Sequence, residues 1–150
     1  MTADTPQPYP APLGWRIAAA LYDLMPLIAL WFVTAALALL VTQGTLDYHA
    51  WWYRLSLLVV TAGYFVLSWR NGGQTIGMRA WRLRVVDENG ASPTYTASLL
   101  RFAVSVVSLA AACLGFLWCL YDRDRRAWHD LAAHTRLVRY PKPKKAKSPA

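Results

Sequence analysis

"LLRFAVSVVSLAAACLGFLWCLY" at residues 99–121 runs directly into "DRDRRAWHDLAAHTRLVRY" at 122–140. The path of the first stretch decides where the second one lies. At about 1.5 Å per residue, the apolar run is long enough to cross a hydrocarbon layer of roughly 30 Å. A crossing would deliver the six charges of residues 122–130 to the far face. If the run instead enters and leaves on one face as a broken hairpin, those charges stay on the near face. Ala110 to Gly115 is the small-residue segment where such a break fits, and backbone at the turn needs hydrogen-bond partners from protein. Length favours the through-span, and charge favours the hairpin.

Two further apolar blocks precede this one. "IAAALYDLMPLIALWFVTAALALLV" covers 17–41 with Asp23 as its only charge, and "AWWYRLSLLVVTAGYFVLSW" covers 50–69 with Arg54 near its start. The third block has Arg101 close to its start and is otherwise uncharged. In a chain of 150 residues that is 56% hydrophobic, three helices without a polar stripe have too little surrounding protein to bury them as a soluble bundle. Aromatic residues collect at block ends: Trp51, Trp52 and Tyr53 open the second and Trp69 closes it, while Trp118 and Tyr121 end the third. Interfacial rings belong at such positions. The composition predicts an all-α integral membrane protein, a small helical bundle in the cytoplasmic (inner) membrane, multi-pass. The leader "MTADTPQPYPAPLGW" has Asp4, several prolines and no basic n-region, so the first block is expected to be retained rather than cleaved.

The net charge of +8 would suggest nucleic acid, but the basic residues flank the apolar blocks and no nucleic-acid recognition pattern accompanies them. Anionic lipid headgroups are the expected partner, contacted through Arg82, Arg84, Arg125 and Arg126. If all three blocks span, neither orientation satisfies the positive-inside tendency. A re-entrant third block puts every Lys and Arg except Arg54 on one side, with the N-terminus inside.

The expected organisation is a flexible Pro-rich tail at 1–12, a membrane domain at 13–138 and a disordered basic tail at 139–150. Between the second and third blocks lies "RNGGQTIGMRAWRLRVVDENGASPTYTAS". Asn71-Gly72-Gly73 is a turn signal, "MRAWRLRVV" alternates like a strand and "DENG" turns again, which predicts a polar cytoplasmic loop with a short β-ribbon over 76–97. The glycines of "GGQTIGMR" lack the spacing of a phosphate loop and serve tight turning. Residues 122–138 read as an interfacial segment in which "RRAWHDLAAHTRL" at 125–137 forms an amphipathic helix with Trp128, Leu131 and Ala132 toward lipid. Cys113 and Cys119, six apart, fall on different faces of a continuous helix, so no disulfide is expected.

Arg16 and Asp23 are two helical turns apart and share a face. A carboxylate about two turns into a span must pair, line water or be protonated. Asp23 is accordingly a candidate ion or proton site, or a structural polar anchor. Pro26, three residues on, is a candidate kink. His129, Asp130 and His134 have no standard metal spacing, and no Ser or Cys has an activating partner. Neither a metal, a cofactor nor an enzymatic reaction is expected. Ala103, Ser108, Ala111 and Gly115 form a small-residue face suited to self-association.

The ordered set "GWRIAAALYDLMPLI", "GGQTIGMRAWRLRVVDENG" and "RRAWHDLAAHTRLV" resembles the RDD family of small prokaryotic membrane proteins across residues 13–138. The resemblance implies that Arg16, Asp23 and Asp130 are the arginine and two aspartates of the family name. It further implies a multi-pass membrane protein, with ion or solute transport suggested for some relatives. Arg79 matches the middle motif, whereas Met78 stands where a basic residue is common and His134 where glycine is usual. Two functions follow as expectations: a structural or accessory membrane protein, or a subunit of an ion- or proton-coupled transporter using Asp23.

Overall fold

The computed structural model describes residues 7–142. A short strand β1 (Tyr9–Pro10) leads into the long helix α1 (Leu13–Val41), and a turn at 42–50 reverses the chain into α2 (Trp51–Arg70). After a brief helix α3 (Ile76–Ala80) and strand β2 (Leu83–Asp87), helix α4 (Tyr95–Ala110) is followed by the single-turn α5 (Leu114–Leu117). A 3₁₀ turn (Trp118–Leu120), the short helix α6 (Trp128–Ala132) and strand β3 (Thr135–Arg139) complete the described chain. The protein is mostly helical and also carries a small sheet.

Helix α1 runs unbroken through Pro26 and buries only Ala19, Asp23, Leu27 and Ala38. Among the described residues it is the one helix that is by itself long and apolar enough to cross a membrane. Its remaining apolar side chains point outward, with Met25 79% exposed and Val41 82%. A surface of that kind, unpaired along a whole helix, marks a face for membrane or protein contact. Helix α2 packs back along α1, tied by the indole N–H of Trp31 donating to Thr61 Oγ1 at 2.9 Å.

The apolar run at 99–121 is not a straight helix. Its two helical parts meet at 109°. Ala112 and Cys113 take left-handed φ values of 52° and 64°, a conformation that terminates a right-handed helix. The break falls inside the small-residue segment 110–115. After it the chain folds back on α4, and Gly115 makes the contact possible: a Cβ there would sit 2.3 Å from Ser108 Oγ and 2.8 Å from Trp128 Cε3. Ser108 and Gly115 are therefore buried against each other within one chain, which corrects the expectation that they belong to a self-association face. Cys113 lies in this bend and Cys119 after it, rather than on one continuous helix, and both are free thiols.

The sheet has the order β1-β3-β2, antiparallel throughout. Val85 pairs with Leu137 and Tyr9 with Arg139. The ribbon expected within 76–97 is corrected accordingly: β2 forms as its alternation predicts, but its partner comes from the end of the chain. The reason is burial. Leu83, Val85, Val86, Leu137 and Val138 are all buried, and a local hairpin with "ASPTYTA" would have left β2 without those partners. Tyr9, Pro10 and Arg139, expected in flexible tails, are in register in this sheet. The parts of those tails at 1–6 and 143–150 lie outside the described residues.

The sheet also fixes the order of the whole molecule. It brings together segments that precede α1, follow α2 and follow the bent α4–α5 unit. These segments form one polar cap at one end of the α1–α2 hairpin. The single turn of α6, leading straight into β3, belongs to this cap. Residues 125–137 thus do not form the continuous interfacial helix expected, although Leu131 and Ala132 are exposed and Trp128 half-buried.

Candidate functional site

Two carboxylates are buried where the cap meets the helices, and each is held differently. Asp23 is 2% exposed on α1. Its Oδ1 accepts from the Tyr64 hydroxyl at 2.6 Å and from the Gly77 backbone N–H at 2.8 Å, and its Oδ2 accepts from Thr75 Oγ1 at 2.5 Å. Thr75 also caps α3, its Oγ1 accepting from Met78 N–H at 3.2 Å. Gly77 is required because a Cβ there would stand 2.1 Å from the Ala19 carbonyl oxygen. The "GGQTIG" stretch therefore wraps the carboxylate of α1 with neutral donors from its own loop and from α2. Gly73, at φ +69°, makes the preceding turn and passes 2.4 Å from Val85 O if given a Cβ.

Asp130 is fully buried on α6. One oxygen accepts from Arg16 Nη1 at 2.7 Å and from the Ala127 backbone N–H at 2.9 Å. The other accepts from Arg101 Nη1, which also donates to Thr135 Oγ1 at 2.7 Å. Arg16 spreads its remaining donors over the carbonyls of Arg125 at 2.7 Å and Ala11 at 3.3 Å. Arg101 is 1% exposed and stacks over Trp69 with its guanidinium carbon 5.1 Å from the ring centroid. Burial alone would raise the Asp130 carboxyl, but the guanidiniums of Arg101 and Arg16 outweigh it and hold the group well below the usual carboxylate range. His129 is buried beside this cluster, its ring 4.9 Å from Phe116 and its Nε2 3.7 Å from Asp130 Oδ1. Burial, joined by the charges of Arg101 and Arg16 against that of Asp130, pushes the imidazole down to about 3. It is neutral at physiological pH.

Arg16 and Asp23, which their spacing places on one face of α1, belong to these two separate clusters. Among the described residues Asp23 has no ion-pair partner. Arg16 instead joins Asp130 across most of the chain. His134 is remote from His129: it is exposed and 3.3 Å from Glu88 Oε1. Among the described residues there is no cluster of three or more metal-ligating side chains. Arg79 is exposed. Arg84 Nη2 reaches Ser92 Oγ at 3.4 Å, and Arg82 has a left-handed φ of 57°. Arg126 is occupied by its neighbours Asp122 and Asp124, at 3.3 and 3.2 Å. The carbonyl of Arg125 serves Arg16.

The two aspartates and one arginine sit in a fixed order, α1 carrying Arg16 and Asp23 and α6 carrying Asp130, with the "GGQTIG" wrap between them. The RDD family profile matches residues 10–134. The chain belongs to the RDD family. No curated protein and no solved structure matches it. Two departures from the family pattern now have a structural setting. His134 holds a φ of 50°, the backbone region in which glycine is at ease, so glycine suits that place. Met78 is buried in the core with Ala19, Trp69, Leu83 and Phe102, where a thioether packs without a partner.

Sequence reasoning missed Arg101, Tyr64, Thr75 and Thr135 as members of these clusters. Arg101 had a visible signal, a lone cation near the start of an apolar run. The others had none beyond their chemistry, since their roles arise from contacts 34 to 52 positions away.

Proposed function

We propose that this RDD protein is a membrane-embedded structural or accessory protein in which α1 and α2 cross the inner membrane. The bent α4–α5 unit enters and leaves from the cytoplasmic side. The observation that carries this reading is the sheet. Strands on either side of the α1–α2 hairpin and after the bend pair with one another, so their segments share one side. Among the described residues, every Arg and Lys except Arg54 lies in segments on that side or at its edge, in keeping with the positive-inside tendency. Broken backbone at membrane depth is acceptable where protein covers it, and the close Gly115–Ser108 contact supplies that cover.

In this reading both carboxylates are fastenings between membrane helices and cap. Asp23 anchors the loop that follows α2 into the side of α1. Asp130 locks the returning chain onto α1 through Arg16 and onto α4 through Arg101. The alternative role is ion- or proton-coupled transport through Asp23, favoured by a carboxylate buried within the long apolar helix. Three short donors on its two oxygens support the structural role instead, because a passing cation would have to displace them.

The test has two parts. The protein should stay with membranes through high-salt and alkaline carbonate washes, since these remove peripheral contacts but not an apolar span. Asp23→Asn, reconstituted into vesicles at equal protein density, should leave any cation or proton flux at the wild-type level while lowering thermal stability. Flux lost at unchanged stability would make Asp23 a coupling site and overturn the structural assignment.

A further inference from the structure

A groove of about 420 Å³ opens between the first turns of α1 and the α4–α5 elbow. Its walls are almost wholly apolar, with Ala20 on one side, Leu109 and Phe116 on the other and Phe65 beneath. At one end stand Arg16, Arg101 and His129. Two nitrogens of these side chains, Arg101 Nε and His129 Nδ1, are buried without any hydrogen-bond partner among the described residues. Both atoms are closed off from solvent, so they back the groove's polar end rather than offer open donors to it. Ala20 and Leu109 are exposed, so the groove is open along its side rather than sealed in the core.

We propose that this groove seats one acyl chain of an anionic membrane lipid, with its ester carbonyl at the polar end and its phosphate at the mouth beside Arg125. The inference rests on the membrane reading above. The lining extends along α1 from Leu13 to Asp23, about 15 Å at 1.5 Å per residue, and is apolar as a chain requires. The volume is in the usual range of roughly 300–1,000 Å³ for a small-molecule site, which suits one chain and leaves the second on the outer lipid-facing surface. An ester carbonyl at that end meets the positive field of Arg16 and Arg101 rather than an apolar wall. The preference for a negative headgroup comes from the mouth. Arg125 is not itself a wall of the groove, but it is exposed and its backbone carbonyl accepts from Arg16 at 2.7 Å, and no side-chain hydrogen bond or ion pair engages its guanidinium among the described residues. A second copy of the chain is the rival occupant, since its helix would cover the apolar walls but leave the headgroup preference unexplained.

The experiment is native mass spectrometry of the full-length, delipidated protein titrated with phosphatidylglycerol or phosphatidylcholine. The expected result is one retained phosphatidylglycerol at low molar ratio, above the statistical distribution, and a weaker phosphatidylcholine adduct. Ala20→Phe and Leu109→Trp fill the groove from opposite walls at exposed positions, and each should abolish the tightly held lipid while leaving the melting temperature within a few degrees of wild type. Arg125→Glu should keep the chain seat yet reduce the preference for the anionic lipid by about tenfold. Adducts that follow a statistical distribution, or that both filling variants leave unchanged, overturn the proposal. A dimer that both filling variants split, with lipid retention unchanged, assigns the groove to a second copy and likewise overturns it. Release of the protein by carbonate would instead remove the membrane reading beneath it, so the two failures are told apart.

Discussion

Asp23 and Asp130 are both buried, both tie the cap to α1 and both accept three or more hydrogen bonds, yet their partners differ in kind. Asp23 is held by two hydroxyls and a backbone N–H, and Asp130 by two guanidiniums and a backbone N–H. The difference follows from what each joins. Asp23 fastens a neighbouring loop, whose glycines bring backbone donors within reach at little cost in side-chain entropy. Asp130 fastens a segment that arrives from the far end of the sequence, where α1 and α4 each already carry an arginine that needs a buried counter-charge. One site is built from backbone proximity and the other from charge. They should fail differently.

The largest effect is expected at the charged site. Asp130→Ala leaves Arg16 and Arg101 buried together without a counter-ion, which should cost about 3–5 kcal/mol and remove most folded protein from the membrane fraction, read by size-exclusion profile in detergent. Next is the glycine at the other site. Gly77→Ala forces a methyl to 2.1 Å from the Ala19 carbonyl, an overpacking that should cost about 1–3 kcal/mol or more. Gly14→Ala, with nothing within 4 Å of the new Cβ, is its control and should be neutral or slightly stabilising. Asp23→Asn should lower stability by about 1–3 kcal/mol, since an amide cannot accept on both termini as the carboxylate does. If Asp23→Asn proved as damaging as Asp130→Ala, the distinction between a neutral-donor and an ionic fastening would be lost.

Acid should separate the sites further. His129 titrates at about 3 in the folded protein against about 6.5 when unfolded. The unfolded chain therefore binds more protons throughout that window, and stability falls as pH drops from about 6.5 toward 3. Asp130 adds to the loss below the usual carboxylate range, because its folded value is lowered and its ion pairs vanish only when it is protonated. His129→Phe should flatten the upper part of the curve, between pH 6.5 and 4.5, in a thermal-melt series. The smallest effect is expected far from both sites. His134→Gly should raise stability by up to about 1 kcal/mol by relieving its left-handed backbone, visible as a small upward shift in melting temperature.

Much of the helical portion was legible in advance because apolar runs and aromatic ends are local signals. The first two blocks became α1 and α2 with boundaries displaced by a few residues at most, and the small-residue segment 110–115 did contain the break. The sheet was legible only as one strand, β2. Its partners come from residues 9–10 and 135–139, and no local pattern announces a pairing between chain ends. The same limit applies to the site. Spacing along a helix placed Arg16 and Asp23 on one face but left the partner of each open, and Arg16 at the start of α1 reaches across to Asp130 on α6. Arg101 is the instructive omission. A lone guanidinium in an apolar run must find a buried acceptor, and Asp130 was one of the two aspartates already marked by the family motif.

The central claim is that the bent α4–α5 unit returns the chain to the side from which it came. Cysteines placed singly at Lys142 and at Thr45, in a background with Cys113 and Cys119 replaced, test it with an impermeant maleimide on intact spheroplasts and on inverted vesicles. The account predicts that Thr45→Cys is labelled only from outside and Lys142→Cys only from the cytoplasmic face. Labelling of both positions from outside would make residues 99–121 a through-span and contradict it.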